Sequence, residues 1–142
     1  MVAGSGSTLV GVGIDAVDVQ RFRRLLDRRP GFAGRFFTAG ERADADRGPD
    51  PAESLAARFA AKEAVMKALG TGLGGFALSD VEVQRAGGEG PTRNAPSLVL
   101  HGGAALLADA RGAGPFHLSL THTADVAIAF VVAERSTACA PS

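Results

Sequence analysis

A chain of 142 residues with 46% hydrophobic and 21% charged residues is long enough to bury one core and too short for two, and this composition excludes a disordered chain. Its 15 basic and 15 acidic residues cancel, so global charge names neither a nucleic-acid nor a membrane partner. The single cysteine, Cys139, lies in a polar stretch at 136–142, which excludes an internal disulfide or a cysteine metal site and fits a reducing cytoplasm.

Residues 1–8 read as a flexible leader without the charged and apolar pattern of a signal segment, so a cytoplasmic location is expected. Leu9, Val10, Val12 and Ile14, spaced by glycines, predict a short buried strand ending at Asp15. Asp18 is a fair N-cap for a helix over 19–29, with Val19, Phe22, Leu25 and Leu26 on one face, and Pro30-Gly31 stops it. Thr38 and Glu41 form a capping box for a short helix to about residue 47, which Gly48-Pro49 closes. Asp50 as cap, Pro51 at the first helical position and Glu53 completing a box start a long helix. It runs through Leu55, Phe59, Met66 and Leu69 to a left-handed exit at Gly70. Val81 and Val83, then Leu98 and Leu100, alternate with other residues and predict a hairpin with a turn-rich connection at 87–96. A short helix over 104–111 follows, then strands at 117–120 and 126–133 around a tight turn at 123–125. The apolar run at 126–133 is far short of a membrane span. This order predicts one α+β domain over 9–135, a small, mainly antiparallel sheet packed against the long helix, and a flexible tail at 136–142.

The segment from Arg58 to Lys67 sets two lysines and a glutamate into an alanine-rich, packable helix. Glu63 and Lys67 share a face, as do Arg58 and Lys62, and an ion-paired surface accounts for both pairs without any function. A second feature tilts the balance. Gly11-Val12-Gly13-Ile14-Asp15 leaves a carboxylate at the end of a strand whose glycines give a ligand room, and Asp18 frees Asp15 from capping. Two carboxylates and a lysine are what a pyrophosphate with Mg²⁺ requires. The glycines at 70–75 lack the Lys-Ser/Thr pair of a nucleotide-hydrolase loop.

These segments resemble the short phosphopantetheinyl transferases of the holo-acyl-carrier-protein synthase type. Gly13-Ile14-Asp15-Ala16-Val17-Asp18 with Arg21-Phe22 is similar to that family's first motif. Phe59-Ala60-Ala61-Lys62-Glu63-Ala64 with Lys67-Ala68-Leu69-Gly70-Thr71-Gly72 is similar to its second. Phe76, 80–83 and 117–123 agree in order and approximate spacing. The resemblance implies transfer of 4′-phosphopantetheine from coenzyme A to a serine of an apo acyl carrier protein, with release of 3′,5′-adenosine diphosphate. It implies that Asp15 and Glu63 bind magnesium, that Lys67 acts with them in catalysis, and that Arg58, Lys62, Lys67, Thr121 and His122 face coenzyme A. It also implies an α+β fold and a homotrimer with active sites between subunits. Two departures stand out: Glu89-Gly90-Pro91 replaces a Gly-Lys-Pro common in relatives, and Val17 takes the place of a third acidic ligand found in longer ones.

Arg21, Arg24 and Arg28 recur at helical spacing opposite Phe22 and Leu26, with Asp27 as the local counter-charge. A solvated helix face accounts for this stripe; an acidic carrier protein is the partner it would attract, and no nucleic-acid motif accompanies it. His101 reads as an exposed polar residue, and His117 as a structural hydrogen-bonding group or a chemical one. Rival readings are a non-catalytic module that binds an acidic protein or cofactor, and an RNA-binding module using the basic helix.

Overall fold

The computed structural model describes residues 6–72, 74–85 and 95–137. The readings placed on 1–5, on 86–94 with Glu89, Gly90 and Pro91, and on 138–142 with Cys139 lie outside the described residues. In chain order the elements are β1 (Leu9–Asp18), α1 (Val19–Arg28), α2 (Phe32–Phe36), α3 (Ala39–Asp46) and α4 (Pro51–Ala68). A 3-10 turn (Leu78–Asp80), β2 (Val81–Gln84), β3 (Ser97–Leu100), α5 (Gly102–Ala110), β4 (Ala113–His122) and β5 (Val126–Arg135) follow. The antiparallel strands of this α+β fold divide into a three-stranded sheet in the order β1-β5-β4 and a separate β2-β3 pair.

The long helix α4 lies on the three-stranded sheet, and small residues let it come close. A Cβ added at Gly11 would stand 2.1 Å from the Ala68 carbonyl oxygen, and one at Gly13 only 1.9 Å from that of Ala64. The two glycines therefore admit helix backbone, where the sequence had been read as leaving room for a ligand. Ala60, Ala61, Ala64 and Ala68 of α4 meet Ala129, Val131 and Ala133 of β5 in one core cluster, and a second cluster gathers Val19, Phe22, Phe37, Leu55 and Ala56. Nor does β1 end at Asp15. The inward alternation continues through Val17, which packs on both clusters, so the strand runs to Asp18 and Asp15 lies opposite Ala129.

Capping follows the sequence closely. Asp18 accepts from the Arg21 backbone N–H, and Thr38 and Glu41 form the full capping box. Asp50 accepts from the Glu53 N–H and Gly70 takes a left-handed φ of 71° after α4. The Glu53 side chain departs from the box: it pairs with His122, Oε1 to Nδ1 at 3.0 Å. Helix α2 has only five residues around Gly34, too short for a periodic signal.

Period-two alternation sorts the three-stranded sheet into two faces. Gly13, Asp15, Ala129, Val131 and Leu120 turn toward α4. Val12, Ile14 and Phe130 turn outward and are 53%, 58% and 42% exposed, a contiguous apolar face that no element among the described residues covers.

The close approach of α4 makes a graded prediction. Gly13→Ala is expected to cost about 3 kcal/mol, because backbone must shift to admit the methyl group. Gly34→Ala, with nothing within 4 Å and a helical setting, is expected to gain about 0.5 kcal/mol. Urea unfolding of the two variants checks this, and equal midpoints would contradict the packing argument.

Candidate active site

Helix α4 presents two polar groupings on different sides. On the β1 side the Asp15 and Glu63 carboxyl groups lie beside each other, and the Lys67 ammonium donates to the Ile14 carbonyl at 2.7 Å and lies 3.3 Å from Asp15 Oδ1. Burial, and then the Asp15 charge beside it, push the Glu63 carboxyl above the usual carboxylate range, while Lys67 pulls the other way. Lys67 is 55% exposed, so its ion pair with Asp15 is worth at most about 1 kcal/mol and is readily exchanged for another anion. The expected convergence of two carboxylates and a lysine is thus present in the geometry.

The second grouping surrounds a cleft of about 480 Å³ between α3, the first turns of α4, β2 and the end of β4. Arg58 and Arg85 line it together with His122, which Glu53 orients from α4. The Arg58 guanidinium donates to the Ser54 carbonyl and hydroxyl and approaches Asp44 at 3.8 Å, while its buried Nε has no partner. Burial lowers its pKa, opposed by the Glu41 and Asp44 charges. An arginine held charged at the floor of a cleft, with donor capacity to spare, suits an anion. Asp44, Asp50 and Glu53 on the rim keep the cleft from being uniformly positive.

Two expectations change. Lys62, expected to face coenzyme A, has no exposed surface: its ammonium is held by Glu41 at 2.8 Å, the Leu78 carbonyl at 3.0 Å and the Val81 carbonyl. A helical step of 100° per residue carries it away from Glu63 and into the core. Thr121 pairs with Ile128 on the outer sheet face, so strand alternation sends its side chain away from the cleft that His122 lines. Glu53, Asp44 and Arg85 line the cleft without having been singled out. Only Glu53 carried a signal, as a helix-start residue, and that signal pointed to capping.

The remaining groups are accounted for locally. Arg21, Arg24 and Arg28 are exposed on α1 and form no ion pair among the described residues, whereas Arg23 makes a bidentate pair with Asp50 at 2.9 and 2.8 Å. His101 pairs with Glu82 at 2.9 Å and His117 with Glu134 at 2.6 Å.

The carboxylate pair on β1 and α4 carries the two motifs, and the sequence matches the 4′-phosphopantetheinyl transferase superfamily over residues 11–131. The chain belongs to that superfamily. A holo-[acyl-carrier-protein] synthase of Clavibacter sepedonicus is 48% identical over 124 residues, covering 87% of this chain and 94% of the relative. The crystal structure of the holo-[acyl-carrier-protein] synthase of Neisseria meningitidis aligns with a TM-score of 0.77 at 31% identity, over 89% of this chain and 98% of the other. That of Bacillus anthracis, in complex with CoA (3′,5′-ADP), aligns at 0.71 and 34% identity, over 92% and 100%. The resemblance read from residues 13–22 and 59–72 therefore holds across most of the chain, and the holo-acyl-carrier-protein synthase type is that of these relatives.

In this transferase the raised Glu63 carboxyl sets a sign for stability against pH. A carboxyl whose folded pKa exceeds its unfolded value stabilises the fold below the unfolded pKa, and that contribution is lost as pH rises through the folded pKa. Glu63→Gln, measured with a chelator present, is therefore expected to raise the melting temperature at pH 7 by roughly 2 °C. The gain should vanish below about pH 4, where the native carboxyl is protonated as well. A melting temperature lowered at pH 7 would show that the Asp15 and Glu63 charges are not in conflict.

Proposed function

We propose that the chain transfers 4′-phosphopantetheine from coenzyme A to a serine of an apo acyl carrier protein, releasing 3′,5′-adenosine diphosphate, in a magnesium-dependent reaction. The observation that carries this reading is the meeting of Asp15, Glu63 and Lys67 beside α4. Two carboxylates fit magnesium, which takes one or two from protein and completes its shell with phosphate oxygens and water. No cluster of three or more His, Cys, Asp or Glu residues suited to a metal occurs among the described residues. Asp15 and Glu63 would hold the ion, which when bound supplies neutralising charge for the pyrophosphate.

The chain's own groups do the rest by position and charge. Lys67 gives up its weak pair with Asp15 to a phosphate oxygen and offsets charge developing there. The serine hydroxyl gives up its proton to solvent water as its oxygen bonds to the β-phosphorus, the bond from that phosphorus to the bridging oxygen breaks, and 3′,5′-adenosine diphosphate leaves with the electron pair. Arg58 and His122 take the nucleotide end of coenzyme A in their cleft.

Arg58 and Glu63 stand about 140° apart around α4, and Asp15 and His122 lie on opposite edge strands of the sheet. One chain thus offers two half-sites on different sides of a helix. A complete site between neighbouring copies of a homotrimer resolves this, and the uncovered face of Val12, Ile14 and Phe130 supports such an assembly. The exposed Arg21, Arg24 and Arg28 would then dock the acidic carrier.

Incubation with coenzyme A, Mg²⁺ and an apo carrier protein, followed by mass spectrometry of the carrier, tests the reaction. Asp15→Ala and Glu63→Gln are each expected to lower turnover roughly 100-fold, with the double variant little worse. Near-wild-type transfer by either single variant at low Mg²⁺ would reject the assignment. Co-folding Glu63→Gln chains with Arg58→Ala chains, each strongly impaired alone, should restore about a quarter of wild-type activity, because a random mixture builds that share of intact sites. No recovery would mean that each site lies within one chain. Arg24→Glu should raise the KM for carrier about fivefold at low salt, more than that for coenzyme A, with the difference shrinking as salt rises. Unchanged carrier kinetics would return the stripe to a solvated face.

A further inference from the structure

The most deeply buried charges among the described residues play no part in the reaction just described. Lys62 and Glu41 both have no exposed surface. The Lys62 ammonium has three protons and three acceptors, Glu41 Oε1 and the carbonyls of Leu78 and Val81, and it lies 5.3 Å from the centre of the Phe37 ring. Glu41 is equally filled. Its Oε1 also accepts from the Thr38 backbone N–H at 3.0 Å, and its Oε2 accepts from the Val83 backbone N–H at 3.0 Å. The start of α3, the middle of α4, the 3-10 turn and β2 therefore meet at two side chains. Apolar residues of similar volume commonly replace such a pair without loss of stability, so stability alone does not account for it.

What the pair does hold is the frame of the Arg58 cleft. Asp44, on one wall, lies one helical turn beyond Glu41 on α3. The other wall is Val83, Gln84 and Arg85, and the pair grips that strand at the Val81 carbonyl and the Val83 N–H. Arg58, on the floor, lies one turn before Lys62 on α4, and the Glu41 charge helps to offset the cost of burying it. We infer that Lys62 and Glu41 are positioning residues for coenzyme A recognition: they fix the separation of α3 and β2 across the Arg58 cleft and so set affinity for the nucleotide end without touching it. This rests on the reading that the cleft receives that end.

The test replaces both charges together, Lys62→Met with Glu41→Leu, so that neither is left buried alone. The variant is expected to fold, with KM for coenzyme A and Kd for 3′,5′-adenosine diphosphate each raised about tenfold or more. Turnover at saturating coenzyme A and KM for carrier should stay within about twofold of wild type. A folded variant whose coenzyme A KM and 3′,5′-adenosine diphosphate Kd match wild type overturns the inference, as does a uniform fall in turnover with both KM values raised alike. If the double variant does not fold, Glu41→Gln decides by the same criteria, with an expected rise of about threefold. A wild-type chain that transfers nothing overturns both this inference and the function it rests on, whereas an active wild type with an unchanged variant overturns this inference alone.

Discussion

Helix α4 can rest on the sheet at backbone distance because neither partner carries bulk along the line of contact. Gly11 and Gly13 give up their side chains to the carbonyls of Ala68 and Ala64, and the alanines of α4 reciprocate against β5. The rest of the arrangement follows from this. A strand residue two positions beyond Gly13 on the same face is carried directly against the next turn of the helix, which is where Asp15 meets Glu63. Larger residues at the contact would push the helix outward and part the two carboxylates. The packing that admits the helix is therefore also what brings the two carboxylates together.

That condition brings like charges together, which no stable core would select by itself. The Glu63 carboxyl is raised by its burial and by Asp15, and the cation beside it, Lys67, is half exposed and weakly held. The contrast with Lys62, one turn and a few residues away on the same helix, is instructive. There the ammonium is sealed from water and every proton is matched to an acceptor. One lysine is built to stay and the other to exchange, and the difference lies in how much solvent screens each pair. In the proposed reaction the second kind would serve the reacting phosphate and the first would keep the surrounding walls in place.

Much of this was legible in the sequence because it depends on local rules. Asp18, Thr38 with Glu41, Asp50, Pro51 and Gly70 mark helix ends through local side-chain caps and backbone geometry, and each does so here. Asp15, Glu63 and Lys67 were legible as a set because spacing four apart on a helix and a carboxylate on a glycine-bearing strand are one-dimensional patterns. Lys62 was assigned to coenzyme A by the resemblance, and spacing could not correct it. Its proximity to Glu63 in the chain carries no information about the side of the helix that is buried, and its partners come from residues 41, 78 and 81, which only the tertiary fold brings together. Thr121 and Glu53 fail alike: strand alternation separates Thr121 from His122, and a cross-element contact draws Glu53 away from its cap.

The separation of the two half-sites also bears on why so small a chain leaves an apolar sheet face uncovered. A three-stranded sheet has two faces and α4 can cover only one, so Ile14 and Phe130 remain in solvent while their neighbours Gly13 and Val131 are sealed beneath the helix. In the proposed homotrimer a helix added to the chain over that face would block the contact between neighbouring copies. The open apolar face would there couple assembly to completion of the site: the contacts that hide Val12, Ile14 and Phe130 would also set the Arg58 cleft of one copy beside the carboxylate pair of the next. In the proposed trimer the uncovered sheet face and the divided site would be one feature of the fold, since covering the sheet from within the chain would leave each half-site alone.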